Sequence, residues 1–175
     1  ARRRRSASGR GGPGRYPATG IGPIVTKQSR DRIVDLITSG EDDGAKVVVD
    51  GRGVVVSGYE DGFFVGPTVL DMVEPAMKVY REEVFGPVLS VVRAATAEDA
   101  IALINANPYG NGTAIFTADG GAARKFVRGV TVGMVGVNVP VPVPMAYHSF
   151  GGWKDSLFGD HHVYGPDGIR FYTRG

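Results

Sequence analysis

The segment EEVFGPVLSVVR, residues 82–93, joins an acidic turn to an apolar strand. The Gly-Pro pair at 86–87 ends the turn, because glycine permits close backbone approach and proline fixes its own φ before the strand. The Glu83 carboxylate can accept two hydrogen bonds from a vicinal diol, such as that of a nucleotide ribose. Phe85 offers a flat face to a planar ring. A solvated acidic turn with Phe85 in the core explains the same residues. The rest of the sequence is needed to choose between this interpretation and a nucleotide-binding turn.

Helical and extended patterns alternate on both sides of this segment. Thr26 can cap a helix that Gly40 is expected to end, and the Asp50-Gly51 turn could return the chain as a hairpin through residues 54–56. Predicted helices span residues 26–39, 77–81, 96–107 and 122–128, and predicted extended runs span residues 45–49, 63–70, 88–93, 113–117 and 132–138. This alternation predicts an α/β fold with a largely parallel sheet flanked by helices.

Composition excludes several classes of function. The 175 residues contain no cysteine, so disulfides, thiolate metal sites and cysteine nucleophiles are excluded within this chain. No apolar run approaches the length needed to cross a bilayer. The net charge of +2 comes from six arginines in residues 1–17, and the rest of the chain has 14 basic against 18 acidic side chains. The body of the protein is therefore mildly acidic and indicates no basic face.

Residues 1–19 form an Arg/Gly-rich arm that is expected to be disordered, because it cannot bury enough apolar surface to offset its ordering entropy. Charge alone would allow the arm to bind nucleic acid, and its Arg- and Ser-rich composition would also suit a presequence. A truncation or reading-frame scar at the end of a fragment is the favoured interpretation. Residues 20–175 are predicted to be the folded domain.

Five stretches in order carry a resemblance to a known family. They are Gly22-Pro23 before a helix, residues 82–87, YGNGTAIFT at 109–117, GVNVPVPVP at 136–144, and FGGWKDS from Phe150, continuing to RFYT at 170–173. Together they resemble the C-terminal part of the aldehyde dehydrogenase catalytic domain. The last stretches resemble more narrowly the methylmalonate-semialdehyde dehydrogenases, the CoA-acylating branch of that superfamily. The resemblance covers residues 20–175 and leaves out the arm.

The resemblance implies a reaction with NAD as cofactor and CoA as co-substrate. In this family a cysteine thiolate adds to the semialdehyde, hydride passes to NAD, and CoA takes the resulting thioester with loss of CO₂. Methylmalonate semialdehyde then gives propionyl-CoA, and malonate semialdehyde gives acetyl-CoA. The family further implies a homo-oligomer, a tetramer, with no membrane and no nucleic acid as partner. The implied location is cytoplasmic, or the mitochondrial matrix in a eukaryote.

The resemblance also assigns roles to individual residues. Glu83 would hold the ribose hydroxyls on the nicotinamide side, Phe85 would pack on that ring, and Phe150 would line the aldehyde tunnel. The family's nucleophilic cysteine and Rossmann domain have no counterpart in these 175 residues, so no catalytic residue is assigned and the chain alone is expected to be inactive. No metal site is assigned either, because the adjacent His161 and His162 diverge and lack a third ligand at helical spacing.

Two other functions stay open on the sequence. An aldehyde dehydrogenase branch that hydrolyses its thioester would share most of these stretches. A non-catalytic binding module would instead use the basic arm to hold RNA or acidic partners. That module would bind nucleic acid in a salt-dependent way, and deleting residues 1–17 would abolish the binding.

Overall fold

Helices alternate with short strands along residues 11–174, the part of the chain that the computed structural model describes. The chain divides into two units, one ending at Arg93 and the other beginning at Ala94. Each unit has helices packed on strands and a hydrophobic cluster of its own. The predicted α/β class is confirmed.

Within residues 11–93, the first unit contains one long helix, one short helix and a three-stranded sheet. Its elements are α1 (Lys27–Asp42), β1 (Lys46–Val49), β2 (Thr68–Asp71), α2 (Lys78–Arg81) and β3 (Val88–Ser90). The strand order is β1-β2-β3, with β1 antiparallel and β3 parallel to the central strand β2. Strand β2 is buried along most of its length, so the core of the unit forms between it and α1.

Helix α1 begins where the sequence predicts. The Thr26 side chain caps it by accepting a hydrogen bond from the Ser29 amide at 3.1 Å. Ile33 and Ile37 on its inward face pack in one cluster with Leu70 of β2, and all three are almost fully buried. Complete burial of such a side chain stabilises the fold by about 1.5–3 kcal/mol relative to an exposed position. This face fixes α1 on the sheet.

Gly40 does not end helix α1, and that prediction was wrong. The helix continues to Asp42, and Gly40 is buried where an added Cβ would lie 3.0 Å from Cγ1 of Val79 and 3.2 Å from Cδ1 of Leu70. The glycine is used for close packing rather than for a turn. The chain leaves the helix at Gly44, whose φ of +106° suits glycine.

The predicted hairpin between residues 45–49 and 54–56 is also absent from the described structure. Strand β1 pairs with β2 instead. The Gly51 amide donates to Oγ1 of Thr68 at 3.1 Å, and the Gly51 carbonyl accepts from the Gly66 amide at 2.8 Å. Because these bonds attach the turn after β1 to Gly66 and to the first residue of β2, residues 54–56 are left without a place in the sheet.

Replacing Gly51 by alanine should destabilise the first unit strongly. Its added Cβ would overlap the carbonyl group of Gly66, and backbone cannot move aside as a flexible side chain can. We expect a loss of about 2–3 kcal/mol in unfolding free energy, the range found when buried sites are overpacked. The midpoint of urea unfolding by far-UV circular dichroism, in a longer chain that contains these 175 residues, measures the loss. Gly53→Ala is the matched control, since its Cβ would meet no atom within 4 Å; equal midpoints for the two variants would contradict the prediction.

The second unit contains three helices and two small sheets. Its elements are α3 (Ala97–Ala106), β4 (Tyr109–Gly110), β5 (Gly112–Ile115), α4 (Gly120–Gly129), β6 (Met134–Val137), β7 (Trp153–Lys154) and α5 (Gly165–Tyr172). Strands β5 and β6 are parallel, and β4 and β7 are antiparallel. Helices α3 and α4 lie where predicted, with Thr96 and Asp99 forming a capping box at the start of α3. Ile101 and Ile104 of α3 pack against the buried cluster around Phe126.

The predicted disordered arm falls partly outside the described structure. Residues 1–10 lie outside it, whereas residues 11–19 form turns closed by hydrogen bonds. The Gly12 amide donates to the Ile21 carbonyl at 3.0 Å, and Oγ1 of Thr19 donates to the Pro13 carbonyl at 2.9 Å. The boundary between residues 19 and 20 remains a prediction. No helix among the described residues is long and apolar enough to span a membrane.

Candidate functional site

An arginine of helix α1 holds the acidic turn at residues 82–87. The Arg32 guanidinium donates through Nη2 to the Glu83 carbonyl at 2.9 Å and through Nη1 to the Val84 carbonyl at 3.2 Å. The next residue of α1, Ile33, contacts the far end of the turn, where a Cβ on Gly86 would lie 2.8 Å from Cδ1 of Ile33. Two consecutive residues of α1 therefore position both ends of the turn.

The two glutamates of the turn have different surroundings. The Glu82 carboxylate lies 3.5 Å from Nη2 of Arg32 and 3.9 Å from Nζ of Lys78, as expected for a surface ion-pair residue. The Glu83 side chain is exposed, and among the described residues no protein group forms a hydrogen bond or ion pair with its carboxylate. Glu83 is therefore the carboxylate of this turn that can accept hydrogen bonds from a bound molecule.

Phe85 is not a core residue, so the alternative interpretation of the turn is wrong on this point. Its side chain is 83% exposed and its φ is +55°, in the left-handed region that bulky residues rarely adopt. Such a conformation costs about 1–3 kcal/mol and persists only where the surrounding structure enforces it. The turn thus holds an aromatic face in solvent at an energetic cost, next to an exposed carboxylate two residues away.

Phe150, the third predicted site residue, lies in the second unit and is held by the start of helix α5. Its ring stacks on that of Tyr164, with centroids 4.4 Å apart and planes 5° apart. The preceding residue, Ser149, donates a hydrogen bond from its hydroxyl to the Asp167 carboxylate. That bond, aided by nearby histidines and Arg170, lowers the pKa of Asp167 below its ordinary value. The ring of Phe150 is thus held by stacking on Tyr164, and its backbone is held by the hydrogen bond of the preceding residue, Ser149.

An apolar cavity of about 370 Å³ opens beside Phe150. It is lined mainly by aromatic and aliphatic side chains, among them Phe150, Leu157, Phe158, Tyr164, Phe171 and Tyr172. A cavity of this size and lining suits a small organic group. The structure therefore places Phe150 at a cavity wall, while Glu83 and Phe85 share a turn in the other unit.

Lys154 anchors the glycine-rich segment that follows Phe150. Its ammonium group donates to the carbonyls of Asn105 and Asn107, each at 3.0 Å, and lies 3.4 Å from the Ile104 carbonyl. These carbonyls are at the C-terminal end of α3, where helix carbonyls lack intrahelical partners and a cation is stabilising. Lys154 itself has a φ of +53°. The sequence pattern did not identify it, because the contact joins residues almost 50 positions apart.

The described contacts of His148 and His162 are with an aromatic ring and with a main-chain carbonyl, respectively. The hydroxyl of Ser149 donates to Asp167, and the neighbouring His148 ring packs against Tyr147 with centroids 4.4 Å apart. Nε2 of His162 contacts the Gly152 carbonyl oxygen at 3.1 Å. Within residues 11–174, no three His, Asp or Glu side chains come together as metal ligands would.

A sequence model of the aldehyde dehydrogenase family matches residues 3–175. The chain belongs to this family. The match begins inside the arm that the motif resemblance left out. Both the turn at 82–87 and the segment after Phe150 lie within it, so the two candidate sites are parts of an aldehyde dehydrogenase sequence.

Two curated relatives are similar to this aldehyde dehydrogenase chain. The malonate-semialdehyde dehydrogenase of Pseudomonas aeruginosa is 60% identical over 154 residues, which are 88% of this chain and 31% of the relative. The methylmalonate-semialdehyde/malonate-semialdehyde dehydrogenase of Bos taurus, named acylating and mitochondrial, is 49% identical over 161 residues, 92% of this chain and 30% of the relative. The chain thus spans less than a third of the length of either relative.

Two solved structures share the fold of the chain. The methylmalonate-semialdehyde dehydrogenase from Oceanimonas doudoroffii is 54% identical, with a TM-score of 0.95 over 98% of this chain and 35% of that chain. The Mycobacterium tuberculosis aldehyde dehydrogenase complexed with NAD⁺ is 34% identical, with a TM-score of 0.84 over 97% of this chain and 34% of that chain. The arrangement of helices and strands described above is therefore that of the corresponding third of an aldehyde dehydrogenase.

Proposed function

We propose that this chain is one segment of a subunit of an NAD-dependent, CoA-acylating methylmalonate- and malonate-semialdehyde dehydrogenase. The observation that carries the proposal is the 60% identity with a malonate-semialdehyde dehydrogenase across 88% of the chain. The name of the bovine relative, which includes the word acylating, supports CoA as the acceptor. The reaction converts semialdehyde, CoA and NAD⁺ into an acyl-CoA, CO₂ and NADH. We refer below to the longer chain that would contain these 175 residues as the parent subunit.

The turn at 82–87 fits the nicotinamide half of NAD, which accepts the hydride when bound. The exposed Glu83 carboxylate lacks a partner among the described residues and would accept hydrogen bonds from both ribose hydroxyls, since each of its oxygens has free lone pairs. Phe85 would lie against the nicotinamide ring, because its own face is exposed and its backbone is held in place. These two contacts would orient the ring that receives the hydride, and hydride transfer depends strongly on orientation.

Phe150 would serve the aldehyde rather than the cofactor. Its position at the wall of an apolar cavity supports the predicted place along the aldehyde tunnel. Flat stacking on Tyr164 would keep the ring in one orientation. The nucleophilic thiolate would come from the rest of the parent subunit, since these 175 residues contain no cysteine.

The remaining partners are proposed on the same basis. The parent subunit would assemble into a homo-oligomer, a tetramer as in the family, and would take a small semialdehyde, NAD and CoA from solution. Its location would be the cytoplasm, or the mitochondrial matrix in a eukaryote, as the name of the bovine relative suggests. We propose no metal, membrane or nucleic acid as a partner.

Glu83→Gln in the parent subunit tests the cofactor role. Loss of a charged hydrogen bond should weaken NAD alignment by about 1–3 kcal/mol, or roughly 5- to 150-fold in kcat/KM for NAD. The control is Glu74→Gln, another exposed carboxylate of the first unit with no ion pair among the described residues. An unchanged kcat and NAD KM in Glu83→Gln would remove Glu83 from the site.

The identity of the product separates the acylating reaction from its alternative. Parent subunit given malonate semialdehyde, NAD and CoA should form acetyl-CoA, detected by mass spectrometry, together with an equal amount of NADH. Formation of a free carboxylic acid at the same rate with or without CoA would instead identify a hydrolytic aldehyde dehydrogenase.

A further inference from the structure

We propose that Arg32 is a positioning residue for the cofactor. It orients Glu83 and Phe85 toward the cofactor and does not contact the cofactor itself. The inference rests on the proposed role of the turn at 82–87. It concerns a residue of helix α1 about 50 positions away in sequence. Its basis is the contact geometry within the first unit.

The Arg32 guanidinium is the main polar attachment of the turn. Its two terminal nitrogens donate to two consecutive carbonyls, those of Glu83 and Val84, at 2.9 and 3.2 Å. Within the described part of the chain, no hydrogen bond from one backbone group to another involves residues 83–85. The planar, rigid fork of an arginine can fix the directions of two neighbouring carbonyls at once, which a lysine ammonium cannot do. Arg32 therefore determines how the peptide planes after Glu83 are oriented.

Those peptide planes determine where the two predicted cofactor contacts point. The left-handed φ of Phe85 is unfavourable for an aromatic residue and must be enforced by neighbouring structure. Ile33 restricts the turn on the side of Gly86, and Arg32 restricts it on the side of Glu83. Without the fork, residues 83–85 would be free to relax toward ordinary backbone angles, which would rotate both the carboxylate and the ring.

A direct contact between Arg32 and a cofactor phosphate is the main alternative. Three acceptors already occupy the guanidinium: the two carbonyls and the Glu82 carboxylate at 3.5 Å. The Glu82 carboxylate also offsets its positive charge, which would weaken attraction for a phosphate. The contacts thus favour positioning over direct binding, and the two roles differ in how Arg32 and Glu83 depend on each other.

Substitution of Arg32 by lysine in the parent subunit separates these roles. The change keeps the charge and removes the fork. We expect the NAD dissociation constant, measured by calorimetry without substrate, to rise about tenfold, as for loss of a strong hydrogen bond to a charged group. Arg32→Gln should weaken NAD binding at least as much. Arg30→Lys is the control, because the Arg30 side chain pairs only with its neighbour Asp31 in the described structure.

A double-mutant cycle with Glu83→Gln supplies the decisive comparison. If Arg32 acts through Glu83 and Phe85, the double variant should lose less NAD affinity than the product of the two single losses, because the part of the Arg32 effect that acts through Glu83 is already gone. Thermal unfolding of each variant shows whether the fold is retained. If the two single losses of NAD affinity multiply in full in the double variant, Arg32 has a contact of its own with NAD and the proposal is overturned.

The remaining outcomes distinguish this inference from the proposed function. Normal NAD affinity in Arg32→Lys, beside weakened affinity in Glu83→Gln, would overturn the inference and leave the function of the turn intact. Normal affinity in Glu83→Gln would count against both. If Arg30→Lys weakens NAD binding as much as Arg32→Lys, the effect belongs to the helix surface as a whole, which also overturns the inference.

Discussion

The 175-residue chain, expressed alone with NAD, CoA and malonate semialdehyde, should produce no NADH above a protein-free blank. It contains no cysteine, whereas the reaction of the family requires a thiolate to attack the aldehyde. A hydroxyl such as that of Ser149, which donates to Asp167, is a much weaker nucleophile at neutral pH than a thiolate. Under the proposed function, the turn at 82–87 would orient a nicotinamide ring, but it has no thiolate to form the intermediate that gives up a hydride.

The assay for this prediction follows absorbance at 340 nm with high protein concentration and long incubation. A full-length malonate-semialdehyde dehydrogenase at the same molar concentration is the positive control. Trace activity from a co-purifying host enzyme would decline on repurification. Turnover that stays proportional to the amount of chain through two further purification steps would contradict the prediction, and would show that the chemistry does not need the family's thiolate.

Elements that depend on local signals were predictable from sequence. Helix α3 has a capping box at Thr96 and Asp99 and an apolar face at three- and four-residue spacing, so its position follows from neighbouring residues alone. Helix α1 likewise begins at its Thr26 cap. Helix α5 was not predicted, although Pro166 stands in its first turn, because the glycines at 165 and 168 are poor helix formers.

Features that depend on distant contacts were not predictable. Gly40 has the sequence signature of a helix stop, yet it serves close packing against Val79 and Leu70. The turn at Gly51 has the signature of a hairpin, yet its hydrogen bonds go to Gly66 and Thr68. In both cases a tertiary contact determines the role of the glycine, and a single sequence does not contain the distance between the partners.

The residues of the candidate site also fall into those that sequence signals pointed to and those that depend on distant contacts. Residue type and order identified Glu83 and Phe85, but the sequence left open whether Phe85 was buried or exposed. The structure shows that Phe85 is exposed, on a left-handed backbone that no sequence pattern indicates. Arg32 stood unnoticed on the polar side of α1, since its contact with Val84 spans 52 positions. The residues proposed to touch a ligand were therefore chosen from residue type and order, whereas the residue proposed to support them could be chosen only from the structure.

The chain alone should also fail to behave as a well-ordered monomer. Large apolar side chains are fully or largely exposed among the described residues, including Phe158 at 98%, Val25 at 92% and Tyr172 at 83%. The sheets of the second unit within residues 94–174 have two strands each, so every strand in them has an unpaired edge. Exposed apolar surface and unpaired strand edges promote association, so we expect oligomers or a partly molten state.

Size-exclusion chromatography with light scattering, together with near-UV circular dichroism, tests this expectation. We expect masses well above the 18.5 kDa of one chain, or a weak near-UV signal. Changing Val139, Val141 and Val143 to threonine keeps β-branched side chains of similar size but reduces an exposed apolar row, and should lower the mass of the associated species. Val25→Thr, an isolated exposed position, should not. A sharp monomer with a strong near-UV signal and cooperative unfolding would contradict the prediction, because it would show that the two units satisfy their own surfaces.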